Sequence, residues 1–231
     1  APRRAGALLR DAEKPAPAEA RYRVALLADA SSGAARVKLA EALRLQGRLA
    51  EAAGELREAL RVDPDSARAH SDLALVLRSQ RSVPEAIAAY REAIRLDPDW
   101  IDARNGLAIA LANEKRLDEA VAEFREIVRI DPDSTIGYYN LAYALADLDR
   151  DVESAAALRE VIRINPDHYN ARYNLGELFR LEGKYDDSAR QFREYLRLAP
   201  DAPQNSRNIQ RARRFIEQFE EPPAREPSIP D

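Results

Sequence analysis

The chain has 231 residues, and its 45% hydrophobic content is enough to bury a core rather than remain disordered. Charged residues make up 33%, yet the formal net charge is only −4, so neither nucleic-acid binding nor adsorption to a membrane surface is favoured. Cysteine is absent, which excludes disulfides, thiolate nucleophiles and cysteine-ligated metals, and no apolar run approaches the roughly 18 residues of a membrane-spanning helix.

A proline ruler orders everything else. Pro64, Pro98, Pro132, Pro166 and Pro200 follow one another at 34-residue intervals, four of them in the contexts VDPDS, LDPDW, IDPDS and INPDH. Residues 1–32 come first and read as a degenerate unit. Projecting the ruler backward places Gly6, Leu9, Ala18, Tyr22 and Ala25 at its small and large apolar positions, with Lys14-Pro15-Ala16-Pro17 as the break between its two helices.

Five full units follow over residues 33–202: 33–66, 67–100, 101–134, 135–168 and 169–202. Each holds two apolar stripes at helical spacing, parted by a short polar break such as Gly47-Arg48 or Gly183-Lys184, which predicts a helix hairpin. Position seven is always leucine (Leu39, Leu73, Leu107, Leu141, Leu175), and position eight is always small (Ala40, Ala74, Ala108, Ala142, Gly176). Position eleven is large (Leu43 to Phe179), position twenty small (Ala52 to Ser188) and position twenty-four bulky (Leu56, Tyr90, Phe124, Leu158, Phe192). Large and small side chains therefore face each other across the hairpin, and the proline stops the second helix. Beyond the fifth unit, Ile209, Ala212, Ile216 and Phe219 form one stripe in residues 203–221, where polar Gln210 at position eight refuses a further partner; this segment is a predicted capping helix. Residues 222–231 are a proline-rich tail.

These positions resemble the tetratricopeptide repeat family, a 34-residue helix-turn-helix with the same large and small sites and a terminal proline. The resemblance spans residues 33–202 and implies an all-α, right-handed superhelical solenoid closed by the C-terminal capping helix. Departures are position four, often aromatic in the family but Arg36, His70, Arg104, Tyr138 and Arg172 here, and Asp151, where the other units carry an apolar residue or tyrosine.

Catalytic chemistry is poorly supplied. His70 and His168 stand nearly three units apart, and there is no glycine-rich phosphate loop, nucleophile elbow or HExxH. The acid pairs of the DPD turns suggest calcium, but they lack the glycine and distal glutamate of a calcium loop; the acid after the proline is expected to cap the next helix. Arg207, Arg211, Arg213 and Arg214 read as a solvated face of the cap, paired with Glu217, Glu220 and Glu221. No metal or other cofactor and no enzymatic activity are expected.

In the family, the first helix of each unit lines a concave surface, and the expected partner-binding residues follow from that. The N-terminal units present charge there, among them Lys38, Glu41, Arg44, Arg68, Asp72 and Arg78. The C-terminal units instead present Asn105, Ile109, Tyr139, Asn140, Tyr143, Asn170, Tyr173 and Asn174, which combine rigid contact area with groups able to pair with a peptide backbone. Asn140 and Asn174 share position six, where some family members carry an asparagine ladder, but Lys38, Asp72 and Gly106 interrupt it. The residue set of the chaperone-binding subgroup is not recovered. The expected role is a non-catalytic scaffold for a peptide or protein segment. The alternatives are a structural subunit of a larger complex or homo-oligomer, joined end to end as a ring or filament, and a regulatory piece of a multidomain enzyme.

Overall fold

The structure, a computed structural model, describes residues 15–220. Gly6, Leu9 and Lys14 of the expected degenerate unit, and the tail 222–231, lie outside the described residues. Among those described are twelve helices and no strand: α1 (Pro15–Ala28), α2 (Gly33–Leu45), α3 (Leu49–Val62), α4 (Ala67–Ser79), α5 (Val83–Leu96), α6 (Ile101–Asn113), α7 (Leu117–Ile130), α8 (Thr135–Ala146), α9 (Asp151–Ile164), α10 (Tyr169–Leu181), α11 (Tyr185–Leu198) and α12 (Ser206–Glu220). None is long and apolar enough to cross a membrane. The expected break at Pro15-Ala16-Pro17 is instead the first turn of α1, where prolines forfeit no intrahelical bond.

The chain divides into two compact units after Ile130. In the first, α1 packs on α2, and the hairpins α2/α3, α4/α5 and α6/α7 stack in sequence through α3 against α4 and α5 against α6. In the second, hairpins α8/α9 and α10/α11 stack through α9 and α10, and α12 lies on α11.

The hairpins share a physical plan. The leucines of position seven, the small residues of position eight and the bulky residues of position twenty-four are all buried, as the pattern requires. Every first helix ends at position fifteen in the left-handed region: Gly47, Arg81, Lys115, Asp149 and Gly183 have φ of 76°, 64°, 60°, 56° and 72°. That kink lets the amide of position sixteen reach back to the carbonyl of position eleven at 2.8–3.0 Å, from Arg48 to Leu43 in the first hairpin and from Lys184 to Phe179 in the last. In the last two hairpins the small residue of position twenty is a serine, and its buried hydroxyl needs a partner. Ser154 donates to the Ala142 carbonyl and Ser188 to the Gly176 carbonyl, each at 2.8 Å, tying position twenty to position eight.

Position four shows why an aromatic residue is dispensable there. Arg104 donates to the Pro98 carbonyl at 2.9 Å, Arg172 to that of Pro166 at 2.9 Å, and a His70 ring nitrogen lies 2.9 Å from the Pro64 carbonyl, so the side chain pins the preceding proline turn. Where position four is arginine, its neighbour across the hairpin is polar: Glu55 at 2.8 Å from Arg36, Glu123 at 2.6 Å from Arg104, Gln191 at 3.4 Å from Arg172. Where it is His70 or Tyr138, the corresponding residues are Ala89 and Ala157.

The DPD turns correct one expectation. The acids after the proline do not cap the following helices. Ser66, Ser134 and the His168 ring accept the amides of Ala69, Gly137 and Ala171 at 3.4, 3.3 and 3.1 Å. Geometry decides this, because the residue directly before the helix is the one whose side chain reaches the N3 amide. The acid before the proline closes the turn, as Asp131 accepts from the Asp133 amide at 3.1 Å. Asp65, Asp99 and Asp133 instead face Arg95, Arg129 and Arg163 at 3.9, 4.0 and 3.1 Å. Among the described residues, no group of three or more His, Asp or Glu is arranged to hold a metal ion.

Candidate functional site

In the second unit, the first helices α8 and α10 bring Tyr139, Asn140, Tyr143, Asn170 and Asn174 to one side of the stack. Asn174 Nδ2 donates to the Tyr139 hydroxyl at 3.3 Å, across 35 residues of sequence. The Tyr139 ring meets Tyr143 edge-on at 5.3 Å and lies 4.8 Å from the His168 ring, so it is held from three sides. Burial and the neighbouring Tyr143 push the Tyr139 hydroxyl above the usual tyrosine range, keeping it a neutral donor and acceptor. Asn140 and Asn170 are half-buried, whereas Tyr143 is 54% exposed.

Beside Tyr143 a recess of about 190 Å³ opens between α8, α9 and α10. Ala142, Ala146, Leu158 and Leu178 form its apolar wall, and Tyr143, Asn174 and Glu177 stand at its polar edge. Small residues on α8 leave this space: alanines at 142 and 146, one turn apart, present no side chain long enough to fill it. Glu177 is gripped by Arg180 at 3.0 Å and by Arg211 of α12 at 3.2 Å, so the helix that ends the stack also fixes this edge. The sequence reading missed Glu177, Leu178 and Ala146. The available signal was a second alanine, Ala146, one turn beyond the small residue of position eight. Arg207, Arg213 and Arg214 are exposed, as expected of a solvated face.

Tyr173 is a correction. It was expected among the partner-binding residues, yet it is 7% exposed, packed against Phe192 at 5.6 Å and Tyr195 at 5.0 Å, in a cluster with Ile209 and Ala212 of α12. In the fifth repeat α12 lies over this position, whereas Asn105 and Tyr139, at the same position of the third and fourth repeats, are half-buried. Burial pushes the Tyr173 hydroxyl above its usual range, so it stays neutral in the core. Asn105 and Ile109 stand half-buried on α6, in the first compact unit. Their neighbour Gly106 interrupts the asparagine ladder for a packing reason: a Cβ there would lie 2.4 Å from the Tyr90 ring.

Comparison with known proteins agrees with this architecture. Family models described as tetratricopeptide repeat match residues 52–99 and 139–203, residues 77–150 and residues 34–66. The fold is similar to that of YrrB, described as a tetratricopeptide protein with an unusual peptide-binding site, with a TM-score of 0.70 and 18% identity over 84% of this chain and 97% of that one. It is also similar to MamA residues 41-end from Desulfovibrio magneticus RS-1 (TM-score 0.67, 16% identity, 74% of this chain and 97% of that one). A third similar structure is pilF of Pseudomonas aeruginosa (TM-score 0.65, 20% identity, 81% of this chain and 88% of that one). No curated protein matches the sequence. With three family models spanning residues 34–203 and five hairpins built on one plan, the chain belongs to the tetratricopeptide repeat family.

Proposed function

We propose that this chain is a non-catalytic binding module that takes an extended peptide or protein segment across α8 and α10. The recess of about 190 Å³ beside exposed Tyr143 carries the reading: it offers an apolar side chain a place, while Asn140, Asn170 and Asn174 offer its backbone hydrogen bonds. Asn105 and Ile109 on α6 are proposed as partner-binding residues of the first unit, while Tyr173 belongs to the core. The peptide-binding description of YrrB, which has the same fold, supports this reading. We further propose that residues 1–32 are a degenerate repeat, 33–202 five repeats, 203–221 the cap and 222–231 a tail. The partner is a protein or peptide, with neither nucleic acid nor a membrane required.

Peptides selected from a random library on the immobilised chain test this reading. Tyr143→Ala and Asn174→Ala should each weaken the selected peptides by about 1–3 kcal/mol, the cost of leaving a buried partner group unpaired, while melting stays nearly unchanged. Undiminished affinity in both variants would place recognition elsewhere. The assembly alternative rests on α1, whose Val24 and Leu27 are 64% and 87% exposed, and would appear as a size that grows with protein concentration.

A further inference from the structure

A second recess, of about 360 Å³, opens between α9, α10 and α11, and its lining sets it apart from the other hairpins. Arg159, Arg172 and Arg190 surround it over a floor of Ile162, Leu175 and Phe179, and Asp187 is the one acid in its lining. Three departures of the fifth repeat from its siblings meet here: two shift the local charge toward positive, and the third leaves an arginine of the fourth repeat without the carboxylate its counterpart holds. Position twenty-two is Gly54, Ala88, Ala122 and Ala156 in the other repeats but Arg190 here. Position twenty-three answers an arginine with Glu55 or Glu123 elsewhere but with neutral Gln191 here, so among the described residues Arg172 bonds the Pro166 carbonyl and Gln191 and no carboxylate. In the second hairpin Arg91 pairs with Glu119 of the next repeat at 2.9 Å. The residue matching Glu119 here is the shorter Asp187, and Arg190 takes it. Arg159, the counterpart of Arg91, makes no ion pair among the described residues and lies over the Phe179 ring at 5.5 Å.

We propose that this recess is a docking site for an acidic segment of a protein partner, with carboxylates held by Arg159, Arg172 and Arg190 and an adjacent apolar side chain seated on Ile162, Leu175 and Phe179. Charge complementarity argues for it. Three guanidinium groups face one carboxylate, and guanidinium forks match carboxylates two bonds at a time. The apolar floor favours a peptide over a free ion, because a small anion would leave it bare. The site shares no lining residue with the recess beside Tyr143 and stands or falls independently of it.

The test uses variants that return the fifth repeat to its siblings' sequence, so folding is retained: Arg190→Ala, as at Ala122, and Gln191→Glu, as at Glu123. The probe is a fluorescein-labelled dodecapeptide of three Asp-Leu-Glu-Phe repeats, read by anisotropy at low salt, beside its Asn-Leu-Gln-Phe counterpart. The acidic peptide should bind, lose affinity as salt is raised, and bind each variant about tenfold more weakly at an unchanged melting temperature, as expected when a desolvated charge pair is lost or an arginine neutralised. Several outcomes overturn the proposal: no binding to the unaltered chain, undiminished binding to both variants, equal binding of the neutral peptide, or displacement by inorganic phosphate at the peptide's own concentration.

Discussion

Two units built on one 34-residue plan present different chemistry along their first helices. In the first unit, Lys38 pairs with Glu41 at 2.9 Å and Arg68 with Asp72 at 2.7 Å, so the charges on α2 and α4 are answered by neighbours on the same helix. In the second, α8 and α10 carry Tyr139, Asn140, Tyr143 and Asn174 beside an apolar recess. The buried positions are alike in both, because packing large against small dictates them. The exposed positions of the first helices, which packing does not dictate, have diverged in charge and polarity, and that is where binding is expected to reside.

A plan shared by the two units should also be shared in energy. Leu73 and Leu141 occupy position seven, one in each unit, at 8% and 6% exposure. Leu73→Ala and Leu141→Ala should therefore cost similar amounts, about 2–5 kcal/mol each in denaturant titration. A large cost in one unit and less than about 0.5 kcal/mol in the other would mean that the two cores are not equivalent.

A smaller effect is expected at Gly106. Its missing Cβ makes room for the Tyr90 ring, so Gly106→Ala forces that buried ring to move and should cost about 1–3 kcal/mol. At Gly54, exposed in α3, a Cβ would meet nothing within 4 Å, and Gly54→Ala should instead stabilise by about 0.5–1 kcal/mol. Opposite signs, read from thermal melting, support a glycine kept at 106 for packing. Equal signs would leave the interrupted asparagine ladder without that explanation.

The hairpins, their turns and their cores were legible because they repeat: five copies of the same spacing make each apolar position a matter of counting. Tyr173 was misread for the same reason, since counting treats every repeat as having a like neighbour. The fifth repeat's neighbour is α12, whose Ile209 and Ala212 cover the tyrosine. The link between position four and position twenty-three was present as Arg36/Glu55, Arg104/Glu123 and Arg172/Gln191, but its meaning needs the two helices side by side. Glu177 with Arg211 and Tyr139 with Asn174 join residues one repeat apart, which no local pattern announces.

The smallest expected effect distinguishes the units by pH. Helix α4 of the first unit is capped by the Ser66 hydroxyl, which does not titrate in the neutral range, whereas α10 of the second is capped by a ring nitrogen of His168. That nitrogen accepts the Ala171 amide at 3.1 Å, so it must carry no proton, and burial already pushes His168 below its ordinary value of 6.5. The folded chain thus favours neutral His168, while the unfolded chain takes up the proton near 6.5. The cap's contribution is complete above that pH and is lost as pH falls from there through the lower folded-state value. Its size is that of a helix cap, about 1 kcal/mol. His168→Ser keeps a hydroxyl cap, and carboxylates elsewhere titrate alike in both proteins, so the difference in unfolding midpoint between variant and parent isolates the ring. That difference should move in the variant's favour as pH is lowered from about 7.5 to about 5, the range in which histidine titrates. A difference independent of pH would show that the imidazole cap contributes nothing. Because the Tyr139 ring rests on His168 and its hydroxyl accepts from Asn174, the same acidification should loosen peptides bound at α8 and α10 and leave those held at Arg159, Arg172 and Arg190 in place.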